Sequence, residues 1–356
     1  MEKKYILSIN PGSTSTKIGL FENENCIWDK TLRHSTDVLA TYAHIYDQYN
    51  FRKQEILNAI HEYGFELSKL NAVVGRGGIL HPVTRGTYLI NDRMIEDAKK
   101  AEKGEHASNL GCILAHSIAQ ELNLPSYIVD PTVVDDYEPL ARISGLKEIP
   151  RISTFHALNI FAMAQKYASE HQKKLKDVNL IVTHLGGGIS VAAIRDGKAI
   201  NSNNAMSEGP FTPERTGNLP MLPFLDLCFS GKYTKEEIKK MVVGKGGFVS
   251  YCNTNNALDV EKKVEENSEY DRLIYEAMAY QIAQEIGARA TNLCGKVDAI
   301  IITGGIAHSK MFCEWIKQRV QFIAPVYVYA GEDELAALAS GALRILRNED
   351  EAKLYS

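Results

Sequence analysis

The sequence predicts an α/β protein of two duplicated domains, each with a mixed sheet flanked by helices, and three observations support this prediction. The chain has 356 residues, which is long for one hydrophobic core. It opens with a strand, a polar glycine-containing tip and a second strand over residues 5–28. The same pattern returns over residues 180–198 and closes with the turn Asp196-Gly197. We therefore expect each domain to hold phosphate with its own hairpin loop, across a shared cleft.

The tip of the first hairpin brings hydroxyl, amide and ammonium groups together. Asn10, Ser13, Ser15 and Lys17 follow one another closely around Gly12. A P-loop would need a second glycine directly before the lysine and a helix after it, and neither is present. Backbone N–H groups, hydroxyls and one cation at a hairpin tip suit a polyphosphate, although an ordinary polar turn is the alternative.

Two more polar residues are expected at the carboxyl ends of strands in the first domain. Arg76 stands between glycines after a strand over residues 70–74, where it can reach into a cleft or lie in a surface turn. Asp130 follows a strand over residues 126–129. Open α/β sheets hold their ligand groups at such strand ends, although an aspartate there also caps turns. Helices are expected over residues 38–63, 91–103 and 107–122.

The second half supplies three further candidates. Residues 131–155 are irregular and marked by proline, so the domain boundary is expected there, with domains over 1–154 and 155–334. His156 opens a helix whose positive end suits an anion, and simple packing is the alternative. The loop of the second hairpin is Gly186-Gly187-Gly188. The pair Gly304-Gly305 ends an apolar strand, where the backbone can approach a flat ligand such as adenosine. A helical insertion is expected near 206–295, and a C-terminal helix over 335–356 is expected to pack on the first domain.

Composition narrows the class of protein. The formal net charge is −4 and no basic block is present, which argues against a nucleic-acid partner. No apolar run approaches about 18 residues, and the start of the chain leads straight into a strand, so we expect no membrane span and a cytoplasmic location. The six cysteines include no CxxC pair, which favours reduced core residues over a zinc site or disulfides.

Five motifs span nearly the whole chain: Asn10-Pro11-Gly12-Ser13 with Lys17, Phe155-His156, His184-Leu185-Gly186-x-Gly188, Arg215-Thr216-Gly217 and Thr303-Gly304-Gly305-Ile306. Taken in order, they resemble the acetate and sugar kinase, Hsp70 and actin superfamily, and within it the acetokinase family of carboxylate kinases. The chain is similar to the butyrate kinases of that family in several places. The resemblance implies RNase H-like (actin-like ATPase) domains with the active site in the interdomain cleft.

The resemblance also implies roles for individual residues. Catalytic roles fall to Arg76, Asp130, His156 and Arg215. Magnesium contacts fall to Asn10, Asp130, Glu332 and Asp333, with Glu334 as the alternative carboxylate. Nucleotide and phosphate contacts fall to Asn10, Ser13, Ser15, Lys17, His184, Gly186, Gly187, Gly188, Gly304 and Gly305.

The implied activity is a reversible, in-line transfer of phosphate from ATP to a short-chain fatty acid, butyrate or a branched relative, with Mg²⁺ as cofactor. Such an acid, with a pKa near the ~4.3 of a glutamate side chain, is ionised at neutral pH, so no general base is needed. Catalysis then depends on positive charge and alignment, which favours Arg76 and Arg215. The resemblance also implies a homo-oligomer, a dimer or larger. The alternatives are a sugar or polyol kinase and a nucleotide-gated protein without catalysis.

The expectation about the length of the acid's acyl chain rests on Gly75. Acetate kinases have a branched residue at this position, so glycine predicts extra space beside Arg76 for a longer acid. Each buried methylene is worth about 0.8 kcal/mol, which favours butyrate over acetate. The alternative is that Gly75 serves the backbone alone.

Overall fold

A computed structural model describes residues 2–356, and the chain divides into two units, Met1–Val134 with Asp333–Ser356, and Asp135–Glu332. The first division therefore falls about twenty residues before the expected boundary at 154. The reason is that the irregular segment bonds to a strand of the second unit. The Tyr137 hydroxyl donates to the Ser202 carbonyl at 2.7 Å, and Arg151 Nη2 donates to the same oxygen at 2.7 Å.

The regular elements of the described residues are named here in chain order. The strands are β1 (Tyr5–Pro11), β2 (Ser15–Glu22), β3 (Asn25–Arg33), β4 (Ala72–Gly75), β5 (Thr87–Leu89), β6 (Ser126–Val129), β7 (Leu180–Leu185), β8 (Ile189–Arg195), β9 (Lys198–Ser202), β10 (Ala299–Gly304), β11 (Val326–Ala330) and β12 (Lys353–Leu354). The α-helices are α1 (Thr36–Leu39), α2 (Tyr49–Tyr63), α3 (Asp92–Lys100), α4 (Asn109–Glu121), α5 (Ala157–Glu170), α6 (Met221–Cys228), α7 (Lys235–Val242), α8 (Phe248–Cys252), α9 (Ala257–Glu265), α10 (Glu269–Asn292), α11 (Lys310–Val320) and α12 (Glu334–Leu346).

The first unit is built on a mixed sheet with the strand order β12-β5-β6-β4-β1-β2-β3. β1, β2 and β3 are antiparallel, whereas β4 runs parallel to β1 and β6 runs parallel to β4. β1 lies inside the sheet between β4 and β2, and its residues from Ile6 to Pro11 are buried on both faces, as expected for a strand covered by helices on each side. α4 and the C-terminal helix α12 both pack on it.

The second unit repeats this plan with the order β11-β10-β7-β8-β9. β7, β8 and β9 are antiparallel, and β10 and β11 continue the sheet in parallel. The long helix α10 covers one face with the fully buried side chains of Tyr275, Met278, Ile282 and Ile286. None of the described helices is both long and apolar enough to cross a membrane.

Gly75 does not provide space for an acyl chain, and the expectation built on it is wrong. A Cβ atom at Gly75 would lie 2.1 Å from the Gly111 carbonyl oxygen of α4. In the same way, a Cβ atom at Gly111 would lie 2.1 Å from the Arg76 carbonyl oxygen. Because neither glycine has a side chain, the backbone of α4 packs directly on the backbone at the end of β4. Gly75 therefore permits this close packing.

This contact predicts a large stability effect. We expect Gly75→Ala to lower the free energy of unfolding by about 1–3 kcal/mol, because the added methyl group meets backbone atoms that cannot rotate away. Urea unfolding of the purified protein measures this change. The matched control is Gly287→Ala in α10, whose Cβ would meet nothing within 4 Å and which should unfold like the wild type or later. A stable Gly75→Val protein that loses turnover of butyrate but not of acetate would restore the pocket interpretation.

Candidate active site

The carboxyl edge of β1, β4 and β6 carries three of the predicted residues of the first unit. Asn10 lies near the end of β1, Arg76 directly follows β4 and Asp130 directly follows β6. Neighbouring strands are about 4.8 Å apart, so the three residues form a short row at one edge of the sheet. Lys17 stands opposite Asn10 in the antiparallel register of β1 and β2, and its side chain is exposed.

Glu334 joins two members of that row. Its carboxylate forms an ion pair with Arg76 and accepts a hydrogen bond from the Asn10 side-chain amide. Asp333 instead caps α12, where its Oδ1 accepts from the Ala336 backbone N–H at 2.9 Å. Glu332 belongs to the second unit and lies 3.6 Å from Nε2 of His184. Among the three candidate carboxylates, Glu334 is therefore the one that contacts Asn10.

Asp130 is buried and is held by the backbone beside it. Its Oδ1 accepts from the Gly86 N–H at 2.7 Å, and Nε of Arg85 lies 3.9 Å away. Its backbone φ is +36°, close to the left-handed region that aspartate tolerates better than most residues. The carboxylate is thus fixed at the strand end by contacts from the loop before β5.

Sequence reasoning missed Arg52, a buried arginine of α2. Its guanidinium donates to backbone carbonyls of the first hairpin loop, including the Ser13 carbonyl at 3.1 Å. The signal was present in the sequence, because Arg52 shares the buried face of α2 with Ile56, Ala59 and Ile60. A charged residue at an apolar position of a helix points to a specific buried partner.

The second unit brings His156 and His184 together. Their rings are stacked, with centroids 4.1 Å apart and an interplanar angle of 18°. Nδ1 of His156 lies 2.8 Å from the Ser190 hydroxyl, and Nδ1 of His184 donates to the Asn159 side-chain oxygen at 2.9 Å. Both rings are therefore oriented through their Nδ1 atoms.

Arg215 lies against the glycine loop of the same unit. Its Nη1 donates to the Ala205 carbonyl at 2.7 Å, and its backbone N–H donates to the Thr212 hydroxyl at 3.1 Å. That hydroxyl in turn donates to the Gly187 carbonyl at 2.7 Å, which ties Arg215 to the loop. Burial lowers the pKa of Arg215, and its buried Nε has no partner among the described residues. An anion beside this guanidinium would compensate for the hydration that burial removes from its charge.

Gly188 leaves the space that these side chains occupy. A Cβ atom there would lie 2.3 Å from Nη1 of Arg215 and 3.1 Å from Cε1 of His156. The loop, the arginine and the histidine are thus packed directly on one another. His156, His184, Gly188 and Arg215 form one cluster, which we call the His-Arg cluster.

The two glycines at the end of β10, Gly304 and Gly305, have different functions. Gly304 has a φ of +95°, and its Cβ would lie 2.3 Å from the Leu185 carbonyl oxygen, so it serves the turn. Gly305 is exposed, and its Cβ would meet nothing within 4 Å. The backbone that a flat ligand can approach is therefore that of Gly305.

Comparison with known proteins identifies the family of this chain. The chain belongs to the acetokinase family, whose model matches residues 147–328. It is 53% identical to Butyrate kinase 2 of Clostridium acetobutylicum over 351 residues, which cover 98% of this chain and 99% of that protein. The predicted family and the predicted similarity to butyrate kinases are confirmed.

Solved structures show the same fold. Acetate kinase from Porphyromonas gingivalis superposes with a TM-score of 0.80 at 18% identity, covering 96% of this chain and all of the other. A propionate kinase from Francisella tularensis gives a TM-score of 0.71 at 19% identity, with 95% and 98% covered. The predicted class of duplicated, actin-like α/β domains is confirmed.

Proposed function

We propose that the protein transfers the γ-phosphate of ATP to the carboxylate of a short-chain fatty acid, forming an acyl phosphate and ADP in a reversible reaction. The observation that carries this proposal is the 53% identity to a butyrate kinase over nearly the whole of both chains. A sugar or polyol kinase and a nucleotide-gated protein without catalysis are not favoured, because the chain belongs to the acetokinase family and is 53% identical to a butyrate kinase.

The chemistry needs little proton transfer. An oxygen of the ionised carboxylate forms a bond to the γ-phosphorus while the bond from that phosphorus to the β-γ bridging oxygen breaks, and ADP takes the electron pair. The main barrier is the approach of one anion to another, so the protein must supply positive charge and alignment.

In the second unit we assign those tasks to the His-Arg cluster. Arg215 is held by its contacts with Ala205 and the glycine loop, so its guanidinium is oriented before an anion arrives. A guanidinium binds two oxygens at once and strengthens its contacts as charge spreads over the transferring phosphoryl group. His156, oriented by Ser190, donates a hydrogen bond to the same group.

In the first unit we assign magnesium to Asn10 and Glu334, with Asp130 at the same edge. The donors fit the ion, because Mg²⁺ in kinases is held by one or two carboxylates together with substrate phosphates and waters. The ion would neutralise charge on the phosphates. Arg76 pairs with Glu334, and we assign it to the carboxylate or the phosphoryl oxygens.

The assignment of Glu334 gives a prediction about metal demand. Glu334→Gln removes one negative charge but keeps the shape, so half-maximal activity should require about tenfold more Mg²⁺. Titration of activity with Mg²⁺ at saturating ATP measures this. Glu332→Gln and Asp333→Asn are the matched variants, and a larger shift in either one would move the metal site to that residue.

The proposed function is tested with purified enzyme, ATP, Mg²⁺ and a panel of carboxylates and sugars. Hydroxylamine traps an acyl phosphate as its hydroxamate, so product should form with butyrate or isobutyrate and not with sugars. The identity to a butyrate kinase supports butyrate as the preferred acid, whereas Gly75 offers no pocket for it. ADP formation with a sugar and no hydroxamate with any acid would overturn the proposal.

We also propose a homo-oligomer and a cytoplasmic location. The oligomer is supported by α6, which buries none of its residues although its sequence MLPFLDLC is mostly apolar, with Leu222 73% exposed. Leu222→Glu should reduce the mass measured by light scattering, and an unchanged mass would remove α6 from the interface. The use of ATP supports the cytoplasm, and a tagged protein found outside it would contradict this.

A further inference from the structure

Arg52 is a fully buried charge with no acidic partner among the described residues. It lies in α2 with 0% of its surface exposed. Burial lowers its pKa to about 10, so the guanidinium is still charged at neutral pH. A buried charge is costly unless something compensates it, which makes the atoms around Arg52 informative.

The guanidinium binds the inner side of the first hairpin loop. Nη1 donates to the carbonyls of Gly12 at 2.9 Å and Ser15 at 3.1 Å, and Nη2 donates to the Ser13 carbonyl at 3.1 Å. Nε and Nη2 also donate to Oε1 of Gln48 at 3.0 and 2.8 Å. Three loop carbonyls therefore converge on one cation, and every one of these partners is neutral.

This arrangement fixes where the loop N–H groups point. In a trans peptide the N–H is directed opposite to the preceding C=O. Because the Gly12 and Ser13 carbonyls point to Arg52, the N–H groups of Ser13 and Thr14 point away from it. Both residues are exposed, and neither N–H donates to another group within the described residues. Two adjacent outward N–H groups form an anion-binding concavity.

The buried titratable neighbour of Arg52, His34, does not share or balance its charge. His34 lies in the same buried network, where its Nε2 is 2.9 Å from the Thr16 hydroxyl, and Arg52 also donates to that hydroxyl at 3.0 Å. Burial and the charge of Arg52 lower the pKa of His34 to about 4, so it is neutral at pH 7. The uncompensated positive charge lies directly beneath the loop, where low polarity strengthens its attraction for an anion.

We propose that Arg52 is the positioning residue of the first hairpin loop: it turns three carbonyls inward so that the Ser13 and Thr14 N–H groups face the nucleotide phosphates, and those phosphates supply its missing counter-charge. Only the naming of the ligand as a nucleotide rests on the proposed function. The residue touches no substrate and acts through the loop.

The test compares a ligand that has phosphates with one that has none. In Gln48→Glu the side chain keeps its shape and its acceptors, but a carboxylate now neutralises Arg52 internally. We expect its Kd for MgADP to rise about tenfold and its KM for ATP to rise with it, whereas its Kd for adenosine and its KM for butyrate stay within twofold of wild type. Arg52→Lys, which loses most of the contacts to the carbonyls, should show the same selectivity with a larger rise.

The matched control is Arg289→Lys, at a buried arginine of α10 in the other unit that pairs with Glu285. It should leave the ratio of the two Kd values unchanged. If Gln48→Glu binds MgADP like the wild type, or if MgADP and adenosine weaken equally, the proposal is wrong. If the wild type binds MgADP but yields no hydroxamate, the proposed function is wrong. The Kd values for MgADP and adenosine still test the role of Arg52 in that case.

Discussion

An Arg215→Ala enzyme is expected to lose about 100-fold or more in kcat while its KM for ATP changes little. Arg215 is oriented by Ala205 and by the glycine loop before substrate binds, and its buried Nε lacks a partner within the described residues. Its contact should strengthen as charge spreads over the transferring phosphoryl group, which lowers the barrier without tightening ground-state binding. Steady-state kinetics with varied ATP at saturating butyrate measures both constants.

The matched control is Arg195→Ala, at an arginine of the same unit that pairs with Glu138 at 2.8 Å. It should retain the kcat of the wild type. Normal kcat and a raised KM for Arg215→Ala would reassign this residue to ground-state binding, and no effect on either constant would remove it from the site.

Gly188→Ala is expected to lower kcat about 100-fold although every charged group remains. The added methyl carbon would lie 2.3 Å from Nη1 of Arg215, so the guanidinium must move by roughly 1 Å or more. A displacement of that size in a catalytic group costs about 100-fold in rate. Measured kcat, together with circular dichroism to check folding, tests this expectation.

Gly145→Ala provides the comparison, because a Cβ there would meet nothing within 4 Å. Its kcat and melting temperature should match those of the wild type. A folded Gly188→Ala enzyme with wild-type kcat would mean that Arg215 does not need its present position.

Local patterns were enough to predict most of the fold. Both hairpins have apolar strands around a polar glycine tip, and these signals lie within a few residues of one another. The helix expected over residues 38–63 was predicted too long. The chain instead forms α1, a 3₁₀ turn at Ile45–Gln48, where His44 and Asp47 bond to one another's backbone, and then α2.

Contacts between distant parts of the chain could not be predicted from such local patterns. The packing role of Gly75 depends on Gly111 of α4, which no local pattern around Gly75 indicates. The choice among three adjacent carboxylates depends on where α12 begins, because Asp333 caps the helix and Glu334 then points to Asn10 and Arg76. The role proposed for Arg52 depends on loop carbonyls about forty residues earlier. Tertiary packing decides each of these positions.

The most direct test of the proposed reaction follows an oxygen atom. Butyrate labelled with oxygen-18 in both carboxylate oxygens is incubated with enzyme, ATP and Mg²⁺, and hydroxylamine is then added. Attack of the carboxylate on the γ-phosphorus makes a labelled oxygen the bridge of the acyl phosphate, and hydroxylamine cleaves at the acyl carbon. Mass spectrometry should therefore find inorganic phosphate carrying one oxygen-18 atom, in an amount equal to the hydroxamate. Phosphate without the label would show that ATP is cleaved without transfer to the acid, which contradicts the account.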